Sequence, residues 1–265
     1  MNLSITTDYA QDTGDPTPFL ERIAAAGFSH VHWCHEWHTD YLYTSRKIDR
    51  IRQQLAAVGL QTLDLHASAG VEKNWASPVE PRRLAGLELV RNRLDMAAAL
   101  GSDVVILHVP DKPVAGPLHR SLAALQPAAA ACGVRIALEN GDFAVIRGLL
   151  AEYPPGFLGL CYDAGHGNMD GDGLDQLATM TDRLISVHLH DNDGNRDLHN
   201  PLFSGTIDWP RLARLMAVSA YDKAVSMETT MANSGMTDEA VFLQHVYATG
   251  TRFHAMLADN RPTRQ

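Results

Sequence analysis

Short apolar runs alternate along this chain with longer amphipathic stretches, and glycine marks the passage from one to the other. The mark recurs as AAAGFSHV around Gly27, AAVGLQTLDL around Gly59, AALGSDVVIL around Gly101 and AACGVRIAL around Gly133. Each reads as an alanine-rich helix end, a glycine in the left-handed position that stops a helix, and a strand. Strands separated by helices are parallel, and the helices are their crossovers.

The pattern predicts strands at Leu3–Thr7, His30–Cys34, Thr62–Leu65, Val104–Leu107, Arg135–Leu138, Phe157–Tyr162, a run opening at Leu184, and Ala224–Met227. Helices are predicted at Pro16–Ala26 behind Asp15, Arg46–Val58 capped by Ser45, Pro81–Leu100, a stretch ending before Gly133, and Phe143–Glu152. Further helices are predicted at Leu174–Thr181, Pro210–Val218 capped by Asp208, and Asp238–Met256. Eight strands, each followed by a helix, close a single (β/α)8 TIM barrel. No linker divides it, so residues 1–265 form one domain with its core at about 3–256.

Composition narrows the class. A chain of 265 residues, 45% hydrophobic and 20% charged, suits one folded soluble barrel. Its formal charge of −9 argues against broad binding to nucleic acid or an anionic membrane. The basic clusters Arg46-Lys47 with Arg50 and Arg52, and Arg82-Arg83 with Arg91 and Arg93, read at helical spacing as solvated faces. Cys34, Cys132 and Cys161 have no paired spacing, which excludes a disulfide framework and fits a reducing compartment. The start of the chain lacks the basic and apolar regions of a signal peptide, and no stretch reaches the ~18 apolar residues of a membrane span. A cytoplasmic protein is expected, and self-association into a homo-oligomer stays open.

In such barrels chemistry sits at the C-terminal strand ends. Those ends carry His66, His108, Glu139, Asp163, His188 and Glu228 on successive strands. One such residue alone is more often merely solvated or hydrogen-bonded. A run of them is not expected from 31 acidic residues and 13 histidines spread over 265 positions. Asp163-Ala-Gly-His166 adds a further group on what reads as a glycine-flanked loop. The loop after His188 adds His190, Asp191, Asp193, Asp197 and His199. Mixed imidazole and carboxylate donors favour zinc, manganese, cobalt or iron(II) over calcium, and a carboxylate-rich subset admits magnesium. The candidates outnumber the ligands of one ion, so either several ions bind or some side chains touch substrate. On the same rim Trp33, Glu36 and Trp37 offer aromatic faces and a carboxylate suited to a sugar, with Asn74 and Trp75 as weaker candidates.

The stretches LDLHAS, VVILHVP, IALEN, CYDAGH, VHLHDNDGNRDLH with SGTIDW, and SMET resemble the xylose isomerase-like TIM barrels, over about residues 3–256. In the ketose 3-epimerases of that group two Glu, an Asp and a His hold one metal. The resemblance implies that Glu139, Asp163, His188 and Glu228 do so here, with His166 touching substrate. In endonuclease IV three zinc ions take nine ligands, which match His66, His108, Glu139, Asp163, His166, His188, Asp197, His199 and Glu228. This chain has His190 and Leu198 where that enzyme has Asn and Arg, and Phe203 in place of a glycine.

The expectation is therefore a divalent-metal isomerase or epimerase, zinc or manganese first, with magnesium, cobalt or iron also compatible. Glu139 and Glu228 would move protons through an enediolate and His166 would bind the charged oxygen. His66, His108, Trp33, Glu36, Trp37 and His190 would line the site of a small carbohydrate-like substrate. A multinuclear zinc phosphodiesterase, a dehydratase on the same metal site, and a sugar-binding or metal-storing barrel without catalysis are the competing readings. Nucleic acid and membrane are not expected partners.

Overall fold

The computed structural model describes residues 2–68, 74–110 and 112–261. Its strands are β1 (Leu3–Thr6), β2 (His30–Trp33), β3 (Gln61–His66), β4 (Val104–His108), β5 (Arg135–Glu139), β6 (Leu158–Asp163), β7 (Leu184–His188) and β8 (Val225–Met227). The helices are α1 (Thr17–Ala25), α2 (Ser45–Val58), α3 (Glu80–Leu100), α4 (Ala115–Cys132), α5 (Phe143–Glu152), α6 (Ala164–Asp170), α7 (Gly173–Ala178), α8 (Trp209–Ala217) and α9 (Glu239–Asn260). All strands are parallel, in the order β7-β6-β5-β4-β3-β2-β1-β8. The cylinder closes through Leu189, which bridges to Met227. Its N–H donates to the Ser226 carbonyl (3.0 Å), and its own carbonyl accepts from the Glu228 N–H (3.0 Å). The predicted (β/α)8 barrel is thus the observed fold.

Alternation along the strands separates two interiors. Outward residues such as Ile5, Val31, Leu65, Val105, Leu107, Ile136, Leu138, Leu160 and Val187 pack with the helices into the main core. Inside the barrel, Val104, Ile106, Ala137, Cys161 and Ile185 form a small apolar plug. The rest of the barrel lumen is polar and buried, with Ser4, Thr6, His32, Asp64, Ser186 and Ser226. The β6–β7 register skips a residue between Leu184 and Ser186.

Gly59, Gly101 and Gly133 cap α2, α3 and α4 in the left-handed conformation, as the punctuation predicts. Local readings differ from the structure in four places. Thr44, not Ser45, caps α2, its hydroxyl accepting from the Lys47 N–H (3.3 Å). Pro16 occupies the cap position of α1, and Asp15 one residue earlier accepts from the Thr17 N–H (3.2 Å) and hydroxyl (2.7 Å). The segment after Asp163 is helix α6 rather than a loop. Two arginines read as solvated are buried. Arg83 bonds Glu80 and Ser121, and Arg93 lies over the Tyr43 ring (4.4 Å) while donating to the carbonyls of Tyr41 (3.0 Å) and Glu36 (3.3 Å). Helical spacing alone does not distinguish a charged side chain in water from one tying a loop to the barrel. The three cysteines are unpaired. Among the described residues no helix is long and apolar enough to cross a membrane.

Candidate metal centre

The C-terminal ends of β3 to β8 converge on one buried cluster. Ligand atoms of Glu139, Asp163, His188 and Glu228 all lie within 4.8 Å of one another. Glu139, at the end of β5, is fully buried. It accepts from His108 Nε2 (2.9 Å), faces His66 Nε2 (3.4 Å), and makes a short contact with His188 Nδ1. The Cys161 thiol donates to its other side (3.2 Å). Glu228, just past β8, faces His66 (3.6 Å) and His188 (3.4 Å).

Asp163 ends β6 and caps α6, its Oδ1 accepting from the His166 N–H (2.8 Å). Its carboxylate also meets His190 Nε2 (3.0 Å). The close approach of His190 under α6 requires Gly165, since a Cβ there would sit 2.0 Å from the His190 ring.

A shallower group adjoins these. His166 Nε2 lies 3.5 Å from Asp197, and His199 Nε2 is 3.2 Å from the same carboxylate. His199 Nδ1 donates to the Glu228 carbonyl (2.7 Å), and its ring stacks on His190 at 3.9 Å and 9°. Non-glycine residues with positive φ cluster on this rim: Glu36, Asn140, His199 and Phe203. Such backbone is rare and concentrates where a side chain must be aimed.

Electrostatics separates the two glutamates. Burial pushes Glu139 up, but the His188, His108 and His66 imidazoles outweigh it, holding its carboxyl well below the ordinary value. Burial raises Glu228 to about 8, against the pull of His188 and His199, with the Glu139 charge adding to the rise. Burial lowers His188, yet Cys161, Glu139 and Glu228 leave it well above an ordinary imidazole. Burial lowers and Asp197 raises His166 and His199, which end near 9 and 10.

The donor chemistry fits a divalent cation. His188 Nε2, His32 Nε2 and His66 Nδ1 are all buried without a hydrogen-bond partner. Buried polar nitrogens are rarely left so, and imidazoles beside carboxylates are ligands for zinc-like ions.

The rim candidates divide. Trp37 lies against His66 (4.7 Å, 30°) and edge-on to His108 (5.6 Å), forming a wall of the mouth. Trp33 is buried on the helix side of β2, with its indole N–H bonded to the Tyr43 hydroxyl (3.1 Å), so the expected substrate contact is corrected to a core role. Alternation forces this, because neighbouring His32 takes the inner face. The Glu36 carboxylate is spent on the Gly14 N–H (3.3 Å) and the Thr39 hydroxyl (3.1 Å). His190 is fully buried against Asp163 rather than lining open space. Trp75 is buried, donating to the His108 carbonyl (3.1 Å), and Asn74 Oδ1 accepts from the Ala76 N–H (2.8 Å).

In the loop after β7, Asp191 accepts from the Trp209 indole (2.8 Å) and the Asn192 N–H (2.9 Å), and Asp193 pairs with Arg196 (2.6 Å). Both carboxylates shape the loop. Beside Asp163 and His166 a cleft of about 630 Å³ opens, lined also by Lys112, Asn140, Phe143 and Arg147.

Sequence reading missed His32, Asp64 and Ser186, which face the lumen. Their signal was available: HVHW and TLDLH place polar groups at every second position of strands that must be covered on both faces.

A family model described as "Xylose isomerase-like TIM barrel" matches residues 20–246. The chain is 31% identical to the uncharacterized protein y4fM of Sinorhizobium fredii, over 91% of this chain and 89% of that one. It is 28% identical to a probable endonuclease 4 of Mycobacterium ulcerans, over 76% and 85% respectively. Among solved structures, an L-ribulose 3-epimerase superposes with a TM-score of 0.79 at 17% identity, covering 98% of this chain and 96% of that one. The chain belongs to the xylose isomerase-like TIM barrel family.

Proposed function

We propose that this barrel is an enzyme, a divalent-metal-dependent isomerase or epimerase of a small sugar, polyol or hydroxy-ketone. The observation that carries the reading is the pair Glu139 and Glu228, arriving from opposite sides of one four-ligand cluster with their affinities for a proton driven apart. Carboxyls separated in this way divide the roles of base and acid. The sugar epimerase folds among the solved structures support the substrate class.

Glu139, Asp163, His188 and Glu228 would hold the cation, zinc or manganese by donor type. When bound it would polarise a carbonyl and its neighbouring hydroxyl. Glu139, ionised, accepts the proton from the carbon between them. Glu228, on the opposite side of the cluster, returns one to the other face or to the adjacent carbon. His166, charged through Asp197, donates to the oxygen that gains negative charge. Trp37 covers the apolar face of the substrate, with His66 and His108 at its edge.

Incubation with a panel of ketoses in deuterated water should place deuterium on a carbon beside the carbonyl. Glu139→Gln and Glu228→Gln should each lower this by ~100-fold or more. Unchanged exchange in both variants would remove the proposed acid and base. The His166–Asp197–His199 group and the likeness to a probable endonuclease 4 favour a second reading, a multinuclear phosphodiesterase. Cleavage of an abasic-site oligonucleotide, with no exchange in any ketose, would select it.

A further inference from the structure

We propose that the barrel has a second cation seat, one layer below the Glu139–Asp163 group, built from His32, His66, His188 and Glu228. Ligand atoms of these four residues lie within 4.8 Å of one another, and all four residues are buried. Around Glu228 the spacings are 3.7 Å to His32 Nε2, 3.6 Å to His66 Nε2 and 3.4 Å to His188 Nδ1. Four ligands at ordinary zinc distances define a tetrahedron with edges of about 3.4 Å. The three spacings to Glu228, 3.4 to 3.7 Å, are close to that edge length.

His32 supplies the independent observation. It is 0% exposed, and its Nδ1 meets Asp64 Oδ1 at 2.7 Å, while the other Asp64 oxygen accepts from the Ser186 hydroxyl. With Nδ1–H donated to that carboxylate, Nε2 carries the lone pair, and it has no hydrogen-bond partner. It points at Glu228 Oε1. A carboxylate holding the far side of an imidazole is the usual support of a metal-binding histidine.

The rings of His32, His66 and His188 lie with centroids 4.1 to 5.4 Å apart, with no hydrogen bond recorded between them. Three imidazoles packed in one lumen, each with a ring nitrogen left unpartnered, are otherwise a poor way to fill a barrel. Glu228 spans both seats: Oε1 faces His32 and His66, while Oε2 faces His188 and His199. Three imidazoles and one carboxylate select zinc, cobalt or iron(II) and exclude magnesium.

The seat depends on the metal-binding reading above only through the shared His188 and Glu228, and the test separates the two. Metal-free protein is titrated with zinc, and binding is followed by calorimetry with an excess of magnesium present. X-ray absorption is recorded at one equivalent of zinc. The deep seat gives three imidazoles per zinc, whereas the Glu139–Asp163 group gives one. His32→Asn should weaken zinc binding at least tenfold or remove one equivalent, and Asp64→Asn should weaken it 10–100-fold, as loss of a supporting carboxylate does. Asp163→Asn should leave the imidazole count intact. Thermal melting of the metal-free variants checks that each folds, and the wild-type absorption measurement needs no variant. One imidazole per zinc, with His32→Asn and Asp64→Asn binding as wild type does, would overturn the deep seat and leave the upper one standing. Failure of wild-type protein to bind any divalent ion would overturn both.

Discussion

Asp191 offers a test of how the site is held, because its carboxylate touches no candidate ligand. It is fully buried and accepts from the Trp209 indole N–H (2.8 Å), the Asn192 N–H (2.9 Å) and, at longer range, the Ile207 N–H (3.4 Å). Its backbone exchanges hydrogen bonds with Asn200 (2.8 and 3.1 Å), so it closes the loop that carries Asp197 and His199. Asp191→Ala strands two buried donors. Bonds to a charged acceptor are worth about 1.5–3 kcal/mol each, and water entering the space recovers part of the loss. The expected destabilisation is therefore about 3–5 kcal/mol. Asp191→Asn keeps one acceptor but turns an amide toward a donor, for about 1.5–3 kcal/mol. Urea unfolding of the metal-free protein, read by tryptophan fluorescence, measures both. The His199 side of the site should also bind metal more weakly, although every strand is untouched. A loss below about 1 kcal/mol for Asp191→Ala would show that the loop is held by something else.

Three further outcomes follow from the geometry. In metal-free protein the pairing of His166 and His199 with Asp197 contributes stability that is complete below the ordinary histidine value and disappears as pH rises through about 9 to 10. Melting curves from about pH 7 to 10.5 should fall more steeply for wild type than for Asp197→Asn, and parallel curves would contradict the pairing. Gly165→Ala drives a methyl group into the His190 ring, so a loss of roughly 1–3 kcal/mol and weaker metal binding are expected. Wild-type melting and metal affinity would show that the ring can retreat freely. Removing a metal present at about 100 times its dissociation constant withdraws ~2.7 kcal/mol, a drop of roughly 5–10 °C in Tm for a barrel of this size. An unchanged Tm after chelation and metal readdition would argue that no ion binds the folded state.

The strand ends were legible because a barrel converts position in sequence into position in space. His66, His108, Glu139, Asp163, His188 and Glu228 each follow an apolar run, and the closed sheet brings those ends together. What lay mid-strand was harder. His32 and Asp64 interrupt otherwise apolar strands, and only the inward face of β2 and β3 gives them a common purpose. Trp33 failed for the same reason in reverse, since one step along a strand exchanges lumen for helix layer. Helix α6 was hidden by its glycines, which discourage a helix locally and are tolerated because Gly165 makes room for His190. Arg93 shows that charge alone does not place a side chain at the surface.

The join between β7 and β8 rests on the single residue Leu189, where neighbouring strands elsewhere pair over longer registers. His188 precedes that join on one strand and Glu228 follows Met227 on the other. An ion gripped by both acts as a rivet across the weakest stave of the cask. Hydrogen exchange of the Leu189 and Glu228 amides should therefore slow on metal loading far more than exchange on the opposite wall, and the same event that fills the proposed site would lock the hoop shut.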